Sequence, residues 1–574
     1  MKPRTRILAA LFSASFAIAS SASTFGCSRD DGSADEGGSS DDALAAAASG
    51  LGTTLQDLAA FGEKRVGTEG GKKAADYVMA RMKRAELRDV HFEEFNFPMH
   101  IADPNRSAIS FKKDGQPAPA MAFDIFEGSG PGDVVDASIV YVGSAKAEDL
   151  RGKDLRGKIA FVKRDAHFHR SSQYLNVTQA GAVAMLYEST VPQNQIQIGS
   201  IRHAWEPMGP IPAVTIGQDD GDRLQKMVGE GEVKGSIKVT AFATRGTGRN
   251  VVGVVPGKNY GKKDANGRSL DHQVVIGAHY DTWFVGSVDN GCGTAALLYH
   301  AGKRGLTDGR FENTLVFVAY DGEEVGLYGG YDYLRKHQDE GMLAVVNFEM
   351  PAAESDLKNG GITTLFGGVA ASEVPIMDRA LSESRTAGLF DTFTVWLSLD
   401  KIERMFGGII PTDIQGTYRS GIPTVSTASD SPWYHTRLDT PDKVDTDFLA
   451  RGVKSFDKAV QLFATSSPDA FQGRDPTLWG AEVTLPEVTR DHVSAAVSLT
   501  DPRGRALPAT DVTATFFCDD FFAAPDVVRR TDESGRVTFD FTDELRECPG
   551  RRFVHVVAGG EYPLVEKVIA VPSR

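Results

Sequence analysis

Cysteine is scarce in this chain, four in 574 residues. No thiolate set is on offer, so a metal centre here has to be built from imidazole and carboxylate, ligands that zinc accepts readily. Positive charge is in deficit as well: 62 Lys and Arg stand against 77 Asp and Glu, a formal net charge of −15. That balance argues against nucleic acid as a partner and for a well-solvated surface. An apolar fraction of 41% excludes a chain that is disordered throughout. At this length one core does not suffice, and roughly two to four domains are expected.

What is present begins with an export signal. Lys2, Arg4 and Arg6 precede an Ala- and Ser-rich apolar run from Ile7 to about Ala22, too short for a membrane-spanning helix. The run leads into Ser23-Thr24-Phe25-Gly26-Cys27, which resembles the bacterial lipoprotein box, with glycine before the cysteine to be acylated. Residues 1–27 are therefore expected to be a lipoprotein-type signal peptide. The product would be exported, and either anchored to the cell envelope through a lipid on Cys27 or secreted after cleavage nearby. Residues 28–43, rich in Ser, Gly and Asp, read as a flexible tether. In an exported protein Cys518 and Cys548 are the expected disulfide. Cys292, between two glycines, reads as a small buried residue.

The chemistry is concentrated in a few strand-like runs. Val274-Val275-Ile276-Gly277-Ala278 ends in His279-Tyr280-Asp281, and Val288-Asp289-Asn290-Gly291 follows. A second run ends in Ala319-Tyr320-Asp321-Gly322-Glu323-Glu324. β-Branched runs of this kind suit buried parallel strands, and open α/β sheets bind ligands at the carboxyl ends of such strands. His279, Asp281, Asp289, Glu323 and Glu324 are thus expected to converge. Two metals about 3.5–4 Å apart need a ligand that touches both, and a carboxylate can do so with its two oxygens. Asp289, just after the loop from His279 and just before a helix, is the natural bridge. The second histidine comes from Tyr434-His435-Thr436.

Two resemblances follow. Residues Leu155 to Arg164, Ala180-Gly181-Ala182-Val183-Ala184, Ile211-Pro212-Ala213-Val214 and Asp220-Gly221 resemble a protease-associated domain. That implies an inserted lid that governs substrate access and carries no chemistry. The ordered set His279-Tyr280-Asp281, Asp289-Asn290, Gly322-Glu323-Glu324-Val325-Gly326, Asn347-Phe348-Glu349-Met350 and Tyr434-His435-Thr436 resembles the co-catalytic zinc exopeptidases, the family of bacterial aminopeptidases and glutamate carboxypeptidase. The resemblance implies two zinc ions as cofactors. His279 and Glu349 would hold one, Glu324 and His435 the other, and Asp289 both. It further implies Glu323 as general base, Asp281 as the residue that orients the His279 ring, and Tyr434 as a support for the oxyanion. Relatives commonly have aspartate where this chain has Glu349.

The implied fold is α/β: a mostly parallel mixed sheet with an inserted β-rich protease-associated domain and a C-terminal β-sandwich. The expected layout is a first peptidase segment at 44–127, the insertion at 128–249, a second peptidase segment at 250–470 and the sandwich at 471–574. The sandwich is read from alternation in Val493–Leu499, Val512–Phe517, Val537–Phe541 and Phe553–Val557. A helical pattern runs from Leu44 to about Pro98. The loop histidines His167, His169 and His203 are read as exposed residues and not as a metal cluster. The leading functional reading is an aminopeptidase acting on peptides. A carboxypeptidase or dipeptidase of the same superfamily would need a cationic pocket, for which Arg404, Arg419 and Arg437 are at hand. The non-enzyme alternative is a surface binding protein with a dead site, whose sign would be a lost ligand or base.

Overall fold

The structure, a computed structural model, describes residues 40–201, 208–305, 310–351, 364–368, 374–387, 396–429, 431–471, 475–542, 548, 550–560 and 562–572. The export signal with Cys27, and His203, lie outside the described residues.

Two helices open the fold, α1 (Ser40–Ala59) and α2 (Glu69–Arg84). The start of α2 is set locally: Thr68 Oγ1 accepts from the Gly71 amide at 3.1 Å, and Glu69 sits in the first turn. Its buried stripe is Ala74, Ala75, Val78 and Met82. The helical texture expected as far as Pro98 stops at Arg84. From there β1 (Arg88–Ala102) takes over, because Phe95 and Phe97 alternate inward at period two.

The insertion forms its own sheet of β2 (Ala108–Lys113), β3 (Gln116–Pro117), β4 (Phe123–Ile125), β5 (Gly132–Tyr141), β6 (Ile159–Lys163), β7 (Ala184–Glu188), β8 (Ala213–Ile216) and β9 (Val233–Val239). The strand order is β3-β2-β9-β5-β6-β7-β8-β4. Helices α3 (Ala147–Leu150), α4 (Arg170–Gln179) and α5 (Gln218–Glu230) accompany it. The sheet therefore begins at Ala108, inside the span expected for the first peptidase segment. It ends at Val239, short of the expected 249. The reason is a two-stranded stem: β10 (Ala241–Val255) leaves the insertion antiparallel to β1, in register from Ala102↔Ala241 to His91↔Val252.

The main domain continues through β11 (Gln273–His279), α6 (Cys292–Arg304), β12 (Thr314–Tyr320), α7 (Tyr328–His337), β13 (Met342–Asn347), β14 (Thr364–Gly368), α8 (Val374–Thr386), β15 (Trp396–Ser398), α9 (Leu399–Met405), α10 (Gln415–Arg419), β16 (Thr424–Ala428) and α11 (Thr446–Thr465). Its sheet has the order β1-β10-β12-β11-β13-β16-β14-β15. The four central strands, β12, β11, β13 and β16, are mutually parallel. One face is covered by Leu55, Val78, Leu297 and Val460 from α1, α2, α6 and α11. The other is covered by Tyr333, Leu399, Ile414 and Tyr418. This is the helix–sheet–helix layering expected of a buried parallel sheet.

The C-terminal strands are β17 (Gly480–Val488), β18 (Val493–Thr500), β19 (Asp511–Cys518), β20 (Val527–Arg530), β21 (Arg536–Phe541), β22 (Arg552–Gly559) and β23 (Pro563–Val571). They make two antiparallel sheets, β17-β18-β21 and β20-β19-β22-β23, around Val497, Leu499, Phe516, Phe539 and Val554. Cys518 and Cys548 are disulfide-bonded, and Cys292 is buried and free.

The sandwich shares a core with the main domain: Phe517, Phe521 and Phe553 pack with Phe95, Phe97 and Tyr328. A buried ionic group pins the same contact. The Arg419 guanidinium meets Glu403 at 2.5 Å and Glu566 of β23 at 3.2 Å, and His555 meets Glu566 at 2.7 Å. Arg419→Met would leave Glu403 without its cation in a dry site. Breaking such a group from one side costs about 3–5 kcal/mol, so the urea midpoint of the variant is expected to drop sharply. An unchanged midpoint would show that water reaches these carboxylates.

Candidate metal centre

Each metal-binding residue foreseen from the sequence follows the carboxyl end of one of the four central parallel strands. His279 ends β11, with Asp289 in the turn into α6. Glu323 and Glu324 follow β12, Glu349 follows β13, and His435 follows β16. Parallel strands place all these ends on one edge of the sheet, which is why residues far apart in sequence meet.

Two groups form there: His279 with Glu323 and Glu349, and Asp289 with Glu324 and His435. His279 Nε2 lies 3.2 Å from Glu349 Oε1 and 3.4 Å from Asp289 Oδ1. His435 Nε2 lies 2.9 Å from both Asp289 Oδ2 and Glu324 Oε2. Asp289 thus turns one oxygen towards each histidine. Glu349, longer by a methylene than the aspartate common in relatives, still reaches the His279 ring.

The surrounding polar groups hold these side chains in place. Asn290 donates to the Phe348 carbonyl at 2.8 Å and accepts from the Met350 amide at 2.9 Å, which ties the Asp289 turn to the Glu349 segment. Thr427 Oγ1 accepts from the Glu349 amide at 2.9 Å. Asp281 stands beside His279 as expected, but its carboxylate is 3.6 Å from Nδ1, and the ring instead bonds the Asp281 carbonyl at 3.0 Å. The carboxylate is taken by the amides of Glu323 at 3.2 Å and Glu324 at 3.3 Å. Asp281 therefore orients two loops at once.

Sequence reasoning gave no role to Asp439, though it stands in the Tyr434–Asp445 stretch. Its two oxygens accept from the Val288 amide at 2.7 Å and the Asp289 amide at 3.1 Å, and so fix the turn that carries Asp289. Burial pushes its carboxyl up to about 7. Lys64, buried beside it and bonded to the Val285 carbonyl, is brought down to about 8 by burial, against the pull of Asp439.

Electrostatics show what the centre needs. Burial raises Glu323 and Glu324 well above the ordinary carboxylate range, and raises Glu349 as well. For His279, burial is outweighed by Glu349 and Glu323, and its pKa lies well above normal. His435 is lowered, by burial and then by Arg170, so it stays neutral and its ring nitrogen can ligate. Three buried carboxylates, with the half-buried Glu323 beside them, are costly unless cations offset them. The nearest groups to the buried His435 Nε2 are the carboxylate oxygens of Asp289 and Glu324, each at 2.9 Å. A ring nitrogen facing only carboxylates, in an all-N/O donor set, fits a divalent cation such as zinc.

The centre opens into a cavity of about 130 Å³ between the sheet edge and the insertion. One wall is apolar, with Leu399, Ile402, Phe406 and Ile410. The other carries Arg164 and Arg170 from the insertion and Tyr434. Tyr434 stacks on His435 with ring centres 3.7 Å apart, and its hydroxyl accepts from Arg170 Nη1 at 3.4 Å. The arginines considered from sequence lie elsewhere. Arg419 is buried among Glu403 and Glu566, Arg437 covers Phe284, and Arg404 faces Asp400. His169 caps α4 and reaches the cavity wall.

Comparison with known proteins agrees with this architecture. Residues 250–456 match the family model of Peptidase family M28, and residues 132–224 match that of the PA domain. Aminopeptidase YwaD of Bacillus subtilis (strain 168) is 26% identical over 419 residues, covering 69% of this chain and 80% of that protein. A glutamate carboxypeptidase 2 homolog of Caenorhabditis briggsae is 23% identical over 505 residues, covering 67% of this chain but 64% of the relative. Among solved structures, a peptidase M28 precursor from Shewanella amazonensis SB2B has a TM-score of 0.56 at 23% identity, covering 75% of this chain and 98% of that one. Sequence motifs, strand order and these matches agree: the chain carries a domain of peptidase family M28 with a PA domain set between its first two strands.

Proposed function

We propose that the protein is a two-zinc aminopeptidase that removes N-terminal residues from peptides. The observation that carries this reading is the placement of Asp289 between His279 and His435, each histidine with a further glutamate, at the edge of a cavity. His279, Asp289 and Glu349 would hold one ion, and Asp289, Glu324 and His435 the other. Such ions supply Lewis acidity to the scissile carbonyl and lower the pKa of water towards ~7. Glu323 lines the same cavity. As a carboxylate it can take a proton from the attacking water and return it to the leaving amine. The Tyr434 hydroxyl accepts from Arg170, so its own proton is available to a developing oxyanion.

A second reading has a specific observation behind it. Arg164 and Arg170 on the cavity wall suit a substrate carboxylate, as a carboxypeptidase or dipeptidase requires. Matched peptides with free or blocked ends separate the two. For an aminopeptidase, N-acetylation is expected to lower kcat/KM by at least about 100-fold, while C-terminal amidation changes it little. The reverse pattern would establish the second reading, and no cleavage of any peptide would favour the dead-site binder.

The same reading treats the protein as exported, with a lipid on Cys27 or free release. The Cys518–Cys548 disulfide supports an oxidising compartment.

A further inference from the structure

His435 has an unusual backbone for a residue with a Cβ: φ is +58°, in the left-handed region. A conformation of that kind is strained and persists only where neighbours enforce it. The enforcing neighbours are not on the peptidase sheet. Ile198, in the insertion between β7 and β8, donates its amide to the His435 carbonyl at 3.2 Å and accepts from His435 Nδ1 through its own carbonyl at 3.0 Å. Gln197 Nε2 donates to the Tyr434 carbonyl at 2.8 Å. Arg170, at the start of α4, binds the Ser200 carbonyl at 2.8 Å and reaches the Tyr434 hydroxyl. Gly199 (φ +147°) makes room for it, since a Cβ there would lie 2.4 Å from the guanidinium carbon.

The consequence is chemical. A carbonyl on Nδ1 fixes the tautomer that leaves Nε2 bare, and Nε2 is the atom facing Asp289 and Glu324. His279 receives the same service from Asp281 within the peptidase domain. The two halves of the centre thus differ in what braces them.

We propose that the PA insertion is a working part of the metal centre: its Gln197-Ile198 segment holds His435 in ligating geometry, so the subsite of Asp289, Glu324 and His435 depends on the insertion while that of His279 and Glu349 does not. Gln197 and Ile198 are positioning residues, and the inference rests on the two-metal reading above.

The test uses the full chain loaded with zinc, and the same chain loaded with cobalt. Gln197→Ala/Ile198→Pro removes the amide donors to the Tyr434 and His435 carbonyls, and so frees the segment whose Ile198 carbonyl holds His435 Nδ1. Ile198→Ala keeps the backbone groups and separates loss of the side chain from loss of the amide. Loss of such outer partners typically weakens metal binding 10–100-fold. The double variant is therefore expected to release one of its two zinc ions to a chelator at least about 10-fold faster, and the other at the parental rate. The cobalt spectrum should change for one ion only, and kcat should fall more than KM changes. Gln197→Ala alone leaves the backbone intact and should show the same selectivity to a smaller degree, which covers failure of the double variant to fold. Parental release of both ions, or equal acceleration of both, overturns the inference. A parent chain that binds no zinc overturns the two-metal reading and the inference with it, whereas a two-zinc parent with unchanged variants overturns the inference alone.

Discussion

Replacing Glu323 with glutamine is expected to lower kcat by roughly 10²–10⁴-fold while bound zinc stays at the parental level. Glutamine has the same shape, so the Glu323 amide can still donate to Asp281 and the neighbouring Glu324 is left in place. What disappears is a carboxylate that lines the cavity. An amide cannot take a proton from water near neutral pH, and it cannot return one to a leaving amine. KM should move little, because the group acts on the reacting atoms and not on the rest of the peptide. Zinc content is the decisive companion measurement. Glu323 lies close enough to His279 and Glu349 to serve as a ligand. A variant that loses one ion together with activity would make Glu323 a ligand, and a fully active variant would place the base elsewhere.

The candidate metal centre is legible in the sequence because its polar residues follow apolar strand runs that end abruptly. Val274–His279 and Thr314–Tyr320 are buried along nearly their whole length, so the first polar residues after them fall at the sheet edge. Glu349 needs the family resemblance, since a lone glutamate after a strand says nothing. The strand β16, Thr424-Val425-Ser426-Thr427-Ala428, is not visible beforehand. Its hydroxyl-bearing residues look like a loop until Asn347 and Glu349 are seen to use Ser426 and Thr427 as partners.

The support of His435 is not readable at all. Ile198 acts through its backbone amide and carbonyl, and bonds from such atoms over 237 residues leave no trace in residue type. The arginines mislead for a related reason. Arg404, Arg419 and Arg437 are near His435 in the chain, but Arg419 is committed to Glu403 and Glu566, and the cavity takes Arg164 and Arg170 from the insertion. Nor does alternation in the C-terminal strands reveal that the sandwich shares a core with α7, the helix immediately after Glu323 and Glu324; Phe521 packs on Tyr328 with ring centres 5.2 Å apart.

Zinc should stabilise the protein strongly at pH 8 and only weakly at pH 5. In the metal-free chain Glu323, Glu324 and Glu349 hold protons to higher pH when folded than when unfolded, because burial raises them. Their contribution is present below about pH 4.5, the unfolded value, and is lost as pH rises through the folded values. His279, raised well above 6.5 by Glu349 and Glu323 against its own burial, works in the same direction. Asp289, burial outweighed by His279 and His435, is shifted down and works in the opposite one, as does His435, lowered by burial and by Arg170. The sum is a metal-free protein that weakens from about pH 5 towards pH 8. Zinc must displace those protons to bind, so its affinity rises over the same interval. At a thousandfold excess over Kd each site contributes about 4 kcal/mol, which for the two sites proposed is a Tm difference on the order of 10 °C. Melting with zinc and with chelator at several pH values measures this directly. A chelator effect that is absent at pH 8, or that shrinks as pH rises, would mean that the four carboxylates do not face a shared pair of cations.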